Sequence, residues 1–123
     1  MNVSTAISRI DELKPNTYLH EQKVLWLTDL DERIKVEIID THEGAENVTF
    51  NGYDPETDVE KELLVPAPYD EVYIYWLESR IDYANSEIGR YNNSIANFNT
   101  SFNSYANYYN RHNMPLTRKL RFF

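Results

Sequence analysis

Apolar residues recur at helical spacing over most of the chain, most regularly in its second half. Ile74, Ile81, Ile88, Ile95, Phe102 and Tyr109 follow one another every seven residues, and Leu77, Ala84, Tyr91, Phe98 and Tyr105 stand three positions after the first five of them. Such a heptad seam predicts a helix that lays one stripe against a partner. No proline falls between Pro68 and Pro115, so the pattern predicts one continuous helix over about residues 69–112, roughly 65 Å long at the usual rise per residue. The competing arrangement is a hairpin in which Gly89 breaks the helix and the two halves pack on each other. The register passes Gly89 without a slip, which favours the continuous helix.

Two shorter helices precede it. Ser4 is a suitable N-cap, Ala6, Ile7, Ile10 and Leu13 then share a face, and Pro15 sets the end, predicting a helix over about 4–13. Asn16 or Thr17 can cap a second helix, over about 17–41, in which Val24, Leu27, Leu30, Ile34 and Ile38 keep helical spacing and Gly44 lies just past the end. From 43 to 66 the helical pattern is lost. Asn51-Gly52 and Asp54-Pro55 separate the short apolar runs Val48-Thr49-Phe50 and Leu63-Leu64-Val65, which predicts a loop or small β-hairpin. The expectation is an all-α helical bundle: one domain over residues 1–112 carrying the loop 43–66, then an extended basic tail, 113–123.

Charge sharpens this picture. All 20 Asp and Glu lie at or before Glu87, with 7 of the 12 Lys and Arg, a balance of minus 13; from Ile88 onward there are 5 basic residues and no acidic one. Between Tyr91 and Asn110 there is no charge at all, while seven asparagines and three serines occur. Asparagine costs roughly 0.5–0.7 kcal/mol per helical position against alanine. A charge-free surface rich in Tyr and Phe has the composition of an assembled interface. The helix over 17–41 reaches only about 37 Å along its 65 Å partner, so the distal seam is expected to lack a cover within the chain. Ile88, Tyr91, Ile95, Phe98, Phe102, Tyr105 and Tyr109 are therefore the expected subunit-interface residues. In the tail, Arg118, Lys119 and Arg121 are placed to pair with carboxylates of a partner, and Phe122 and Phe123 to fill an apolar pocket. DNA phosphates are a rival target for the three cations.

Candidate chemistry adds little. Asp54, Glu56, Asp58 and Glu60 alternate like early calcium ligands, but Val59 stands where that loop wants glycine and Val65 where it wants glutamate. His20, His42 and His112 have no ligand spacing and read as surface or capping residues. Asp29, Asp31 and Glu32 read as a solvated face. There is no cysteine, no phosphate-cradling glycine loop and no run of apolar residues long enough to span a bilayer. The opening residues, Met1 to Arg9, lack the basic start and apolar run of a signal peptide. No enzymatic activity, metal or cofactor is expected, and the expected setting is the cytoplasm, without a membrane.

Four segments together carry a resemblance. Leu63-Leu64-Val65-Pro66-Ala67-Pro68-Tyr69-Asp70-Glu71, Ile81-Asp82-Tyr83-Ala84-Asn85, Tyr91-Asn92-Asn93, and Tyr108-Tyr109-Asn110-Arg111 before Met114-Pro115 resemble small proteins of tailed bacteriophages and prophages of Gram-positive bacteria, encoded just after the major capsid protein. Those look like head-tail connectors, also called adaptor or head completion proteins. The resemblance covers most of the chain and rests on structural motifs. It implies a virion structural protein in the neck, assembled in the host cytoplasm, forming a ring of about twelve copies by cyclic symmetry. The implied partners are other copies of itself, the portal protein above, a tail-side neck or tail terminator protein below, and the DNA in the channel. Well-known connectors use shorter helices than the one predicted here. The alternative is a phage-encoded assembly chaperone or helical binding module that stays outside the virion.

Overall fold

The computed structural model describes residues 1–114 and Leu116. Over these residues the chain is all-helical, with α1 (Val3–Leu13), α2 (His20–Glu37), two single 3-10 turns (Ile39–Thr41 and Ala45–Asn47), α3 (Glu71–Ala84) and α4 (Ile88–His112). The all-α expectation holds, and the long C-terminal helix exists as α4. It begins at Ile88, however, not near residue 69.

The break lies between the halves of the predicted helix, a few residues before Gly89. Ser86 takes the left-handed conformation (φ 60°). Its N–H donates to the Tyr83 carbonyl (3.0 Å), and the Glu87 N–H donates to the Asp82 carbonyl (3.0 Å). These are the two bonds of a Schellman ending, which closes off α3 and turns the chain back. A left-handed serine is strained where glycine is not, so Ser86→Gly is expected to raise stability by about 0.5 kcal/mol, measured by urea denaturation; lower stability would show that the turn draws more from the serine side chain than from its backbone. Gly89 has open space around it and sits within the first turn of α4, where it ends nothing.

Folding back gives the heptad positions of α4 a cover inside the chain. Phe98 is fully buried and its ring lies 5.0 Å from that of Trp76 on α3. Farther along, Tyr105 and Tyr108 meet Tyr69, just ahead of α3, at 6.0 and 4.7 Å. The core is continuous from there: Val72, Tyr73, Ile74, Leu77 and Ile81 of α3 join Val24, Leu27, Leu30 and Ile34 of α2, and Val3, Ala6, Ile7 and Ile10 of α1. Trp76 Nε1–H also donates to the Trp26 carbonyl (2.7 Å), pinning α3 to α2.

The short helices differ from expectation at their ends. Asn2, not Ser4, caps α1, accepting the Thr5 N–H at 2.8 Å. Asn16 caps no helix. Its amide instead donates to Asp11 and to the Lys14 carbonyl, both at 3.0 Å, and its Oδ1 accepts the Tyr18 N–H, so it organises the connection before α2 starts at His20. α1 lies along α3, held by Arg9–Glu71 (2.8 Å) near its middle and Lys14–Asp82 (2.5 Å) at its end.

No strand forms between 43 and 66; the nearest approach is a single bridge between Asn2 and Glu62. The segment is nevertheless tied down. Its Lys61 and Val59 carbonyls accept the Val3 and Ser4 N–H groups (3.1 and 2.8 Å), which satisfies donors that α1 itself cannot pair. Tyr53, Leu63 and Val65 turn inward and are buried. Gly52 adopts φ 92°, but the predicted turn at Asn51-Gly52 does not form, the turns of this segment lying at 55–57 and 59–60; the Ala67–Pro68 peptide bond before α3 is cis.

Candidate assembly surface

The expected interface residues do not share one environment. Phe98 and Tyr105 are 0% and 4% exposed, covered by the chain's own α3, Tyr69 and α2. The expectation that the distal seam has no cover within the chain is thereby overturned for these two: α3 is antiparallel to α4 and lies against it, where the continuous helix would have carried it away. Tyr91, Ile95, Phe102 and Tyr109 are half-buried along the margins of this contact. Ile88 is the exception at 61% exposed, beside Tyr83 at 62%, so the tip of the α3–α4 hairpin presents two large apolar side chains to solvent. The tail residues Arg118, Lys119, Arg121, Phe122 and Phe123 lie outside the described residues.

Cations cover part of the aromatic seam. The Arg33 guanidinium of α2 sits 4.7 Å from the Phe102 ring centre and 5.7 Å from that of Phe98, while its Nε–H donates to Glu37 (2.7 Å). Arg80 lies 4.4 Å from the Trp76 ring and reaches toward Tyr83 and Tyr91 (5.6 and 5.8 Å). Guanidinium groups bind the faces of such rings, so both arginines act as lids that keep the flanks of the α3–α4 contact dry.

What α4 turns to solvent is the polar stripe. All seven asparagines between Tyr91 and Asn110 (residues 92, 93, 97, 99, 103, 107 and 110) are exposed, and so are Ala96, Thr100 and Ser104. The inward face alternates with them: Ser94, Phe98 and Tyr105 are buried. α4 therefore has one aromatic face committed to the fold and one uncharged amide face that, among the described residues, bonds another part of the chain only through Asn110, to His42 (2.6 Å). Its first described cation after Arg90 is Arg111 in the last turn, which with His112 complements the negative end of the helix dipole.

Three buried polar side chains hold the scaffold behind this surface. Asp31 of α2, read from sequence as part of a solvated face, is 0% exposed. Tyr73 O–H donates to its Oδ1 (2.7 Å) and itself accepts the Val65 N–H (2.7 Å); Tyr53 O–H and the Leu64 N–H (3.2 Å) donate to its Oδ2. Burial pushes the Asp31 carboxyl up to about 6, against the opposing effect of these donors. Burial, with the Asp31 charge beside them, also pushes the Tyr53 and Tyr73 phenols up, so both stay protonated as donors. Asp82 of α3 is the second hub. It accepts from Lys14 Nζ and from Ser94 Oγ (3.0 Å), so that the end of α1, α3 and the first turns of α4 meet on one carboxylate.

His42 is the third. The sequence reading made it a surface or capping residue: it is buried rather than at the surface, and it does cap, its Nδ1 donating to the carbonyl of Ile38 at the end of α2 (2.5 Å), with Nε2 2.6 Å from Asn110 Oδ1 and its ring edge-on to Tyr109 at 4.8 Å. Together with the Glu43 N–H bond to the Met114 carbonyl (2.9 Å) it fastens the far end of α4 to the segment after α2. Nothing in the sequence spacing pointed to the distant partners of His42 and Asp31, because Asn110 and Tyr73 are 68 and 42 residues away from them.

Among the described residues, clefts lie beside this framework. One of about 310 Å3 is lined by Arg9, Glu12, Leu13 and Ile74; another, about 210 Å3, includes Lys14, Asp82, Arg90 and Ser94. Their cations are already engaged, Arg9 by Glu71, Lys14 by Asp82 and Arg90 by Glu87 (3.1 Å). Among the described residues no three His, Cys, Asp or Glu side chains stand together as a metal site, and no helix is long and apolar enough to cross a membrane. The alternating acidic residues near 54 serve the loop itself: Asp54 Oδ1 accepts the Glu56 and Thr57 N–H groups (2.8 and 3.0 Å), which holds its carboxyl below the usual range. No protein-family profile, curated protein or solved structure matches the chain.

Proposed function

We propose that this chain is a structural subunit of a tailed-phage neck, a head-tail connector that assembles into a ring between portal and tail and extends the DNA channel. One observation supports this above the rest: the molecule has two unlike sides. The body ahead of α4 contains every acidic residue of the chain except Glu87, the N-cap of α4, whereas α4 turns outward, between residues 91 and 110, a face without charge. Identical faces favour two-fold pairs; unlike faces favour head-to-tail contacts, which close into rings when the rotation per subunit permits. The tight fastening of α4 through Asp82, Phe98 and His42 adds a rigid platform, as an assembly contact requires. The resemblance of the segments around Leu63–Glu71 and Tyr108–Arg111 supplies the phage setting.

The test is location and stoichiometry. Mass spectrometry of purified virions is expected to find this chain at a copy number matching the other neck proteins, and light scattering of the isolated protein is expected to show concentration-dependent association. Detection only in the lysate, with none in virions, would instead make it an assembly chaperone.

A further inference from the structure

The geometry points to the outer amide face of α4, centred on Thr100, Asn103 and Asn107, as the surface by which one copy grips the acidic body of the next. This deepens the connector reading and rests on its premise of self-assembly, but it replaces the aromatic seam as the contact. The centre of the seam is spent within the monomer: Phe98 and Tyr105 are buried there and Arg33 covers Phe102, while Ile88 at its start stays exposed. Among the described residues the face opposite to these rings is the one left over.

Its chemistry fits a second copy of this chain better than solvent. A solvated helix face is ordinarily built from Lys and Glu, which favour the helix and hold water. Here every position between Tyr91 and Asn110 lacks charge, and the exposed ones are largely asparagine, a poor helix former. The chain as a whole carries minus eight, so two copies repel at most orientations. Lysines on this stripe would give attraction but demand desolvation of an ion; glutamates would add repulsion. Primary amides avoid both penalties. Each offers two N–H donors and a carbonyl, and the neighbouring body is rich in carboxylates, which accept and cannot donate. Amide donors meeting carboxylates give a register that is specific and readily formed in water.

The decisive experiment changes the charge of the stripe without touching the core. Asn103 and Asn107 are both exposed. Asn103→Glu with Asn107→Glu improves helix propensity and sets an acid one turn before Arg111, which together offset the i,i+4 repulsion between the two new acids, so the monomer is expected to melt close to wild type. Self-association, read by sedimentation or light scattering of the full chain, is expected to weaken by about tenfold or more from like-charge repulsion. Asn103→Lys with Asn107→Lys is expected to assemble at least as well as wild type, and to lose that gain at high salt. An equally assembled glutamate variant, with wild type also assembled, would leave the connector reading standing and overturn this surface. A lysine variant that dissociates as completely as the glutamate one would overturn the acidic body as its partner. A wild-type chain monomeric at every concentration tested would overturn both the surface and the self-assembly it rests on.

Discussion

Asp31→Ala is expected to destabilise the fold by on the order of 3–5 kcal/mol, the largest effect of any single polar substitution, although Asp31 touches no proposed contact. Its carboxylate accepts from Tyr53, Tyr73 and Leu64 and so ties α2, α3 and the segment 48–66 to one point. Removing it strands three buried donors at roughly 1–3 kcal/mol each, partly offset because an ion no longer has to be buried. Equilibrium urea unfolding is the measurement; a loss below about 1 kcal/mol would mean that the donors find water or each other. Tyr53→Phe removes one donor only and is expected to cost about 1 kcal/mol.

The same residue sets a pH dependence whose sign is opposite to that of a paired surface carboxylate. Asp31 titrates near 3.8 in the unfolded chain and is pushed up to about 6 by burial in the fold. Between those values the folded state holds the extra proton. The stability this group contributes is therefore fully present below about pH 3.8 and is lost as pH rises through about 6. For Asp31 alone the difference is of the order of 3 kcal/mol. Wild type is expected to lose stability between about pH 4 and about pH 6, and Asp31→Asn, which cannot ionise, to flatten that part of the profile. Even ionised, the side chain is better kept than removed, because its three donors fix where the loop lies, and the loop carbonyls in turn receive the first N–H groups of α1.

Phe98→Ala is expected to cost about 3–5 kcal/mol of folding stability, as for other fully buried aromatics. The ring is 0% exposed, contacts Trp76 at 5.0 Å and Phe102 at 5.6 Å, and lies under Arg33. The heptad reading, which left this part of α4 uncovered and Phe98 at a subunit interface, implies the reverse: a larger loss of assembly than of monomer folding. The two outcomes separate cleanly. Thermal melting of the dilute protein reports folding, and hydrogen exchange along α4 reports whether the hairpin opens. Lost protection throughout residues 88–112 in the variant matches the hairpin; an unchanged melting temperature with loss of association alone would restore the seam to the interface. Phe102→Ala, at a half-buried position with the Arg33 contact to lose, is expected to cost less, about 1.5–3 kcal/mol.

The chain's local order was written in its sequence. α1, α2 and α4 follow from apolar positions at helical spacing, because that periodicity is a property of neighbours three and four residues apart. The charge-free asparagine stripe and the acidic first two-thirds were equally legible, since composition needs no coordinates. What tertiary structure decided was which surfaces meet. A seven-residue step from Ile81 to Ile88 is compatible with a straight helix and with a three-residue reversal, and Ser86 gives no sign that it will take a conformation usually reserved for glycine. The reversal is selected by burial of Phe98 and Tyr105 against α3 and Tyr69, a gain that exists only once the halves are antiparallel. Asp31 is the same case in polar form. Beside Asp29 and Glu32 it reads as one more solvated acid, and only Tyr53 and Tyr73, brought in from distant segments, make it the acceptor on which the loop and α3 converge. Spacing along a chain encodes faces; it does not encode what covers them, because covering is an interaction between residues that the spacing rules never compare.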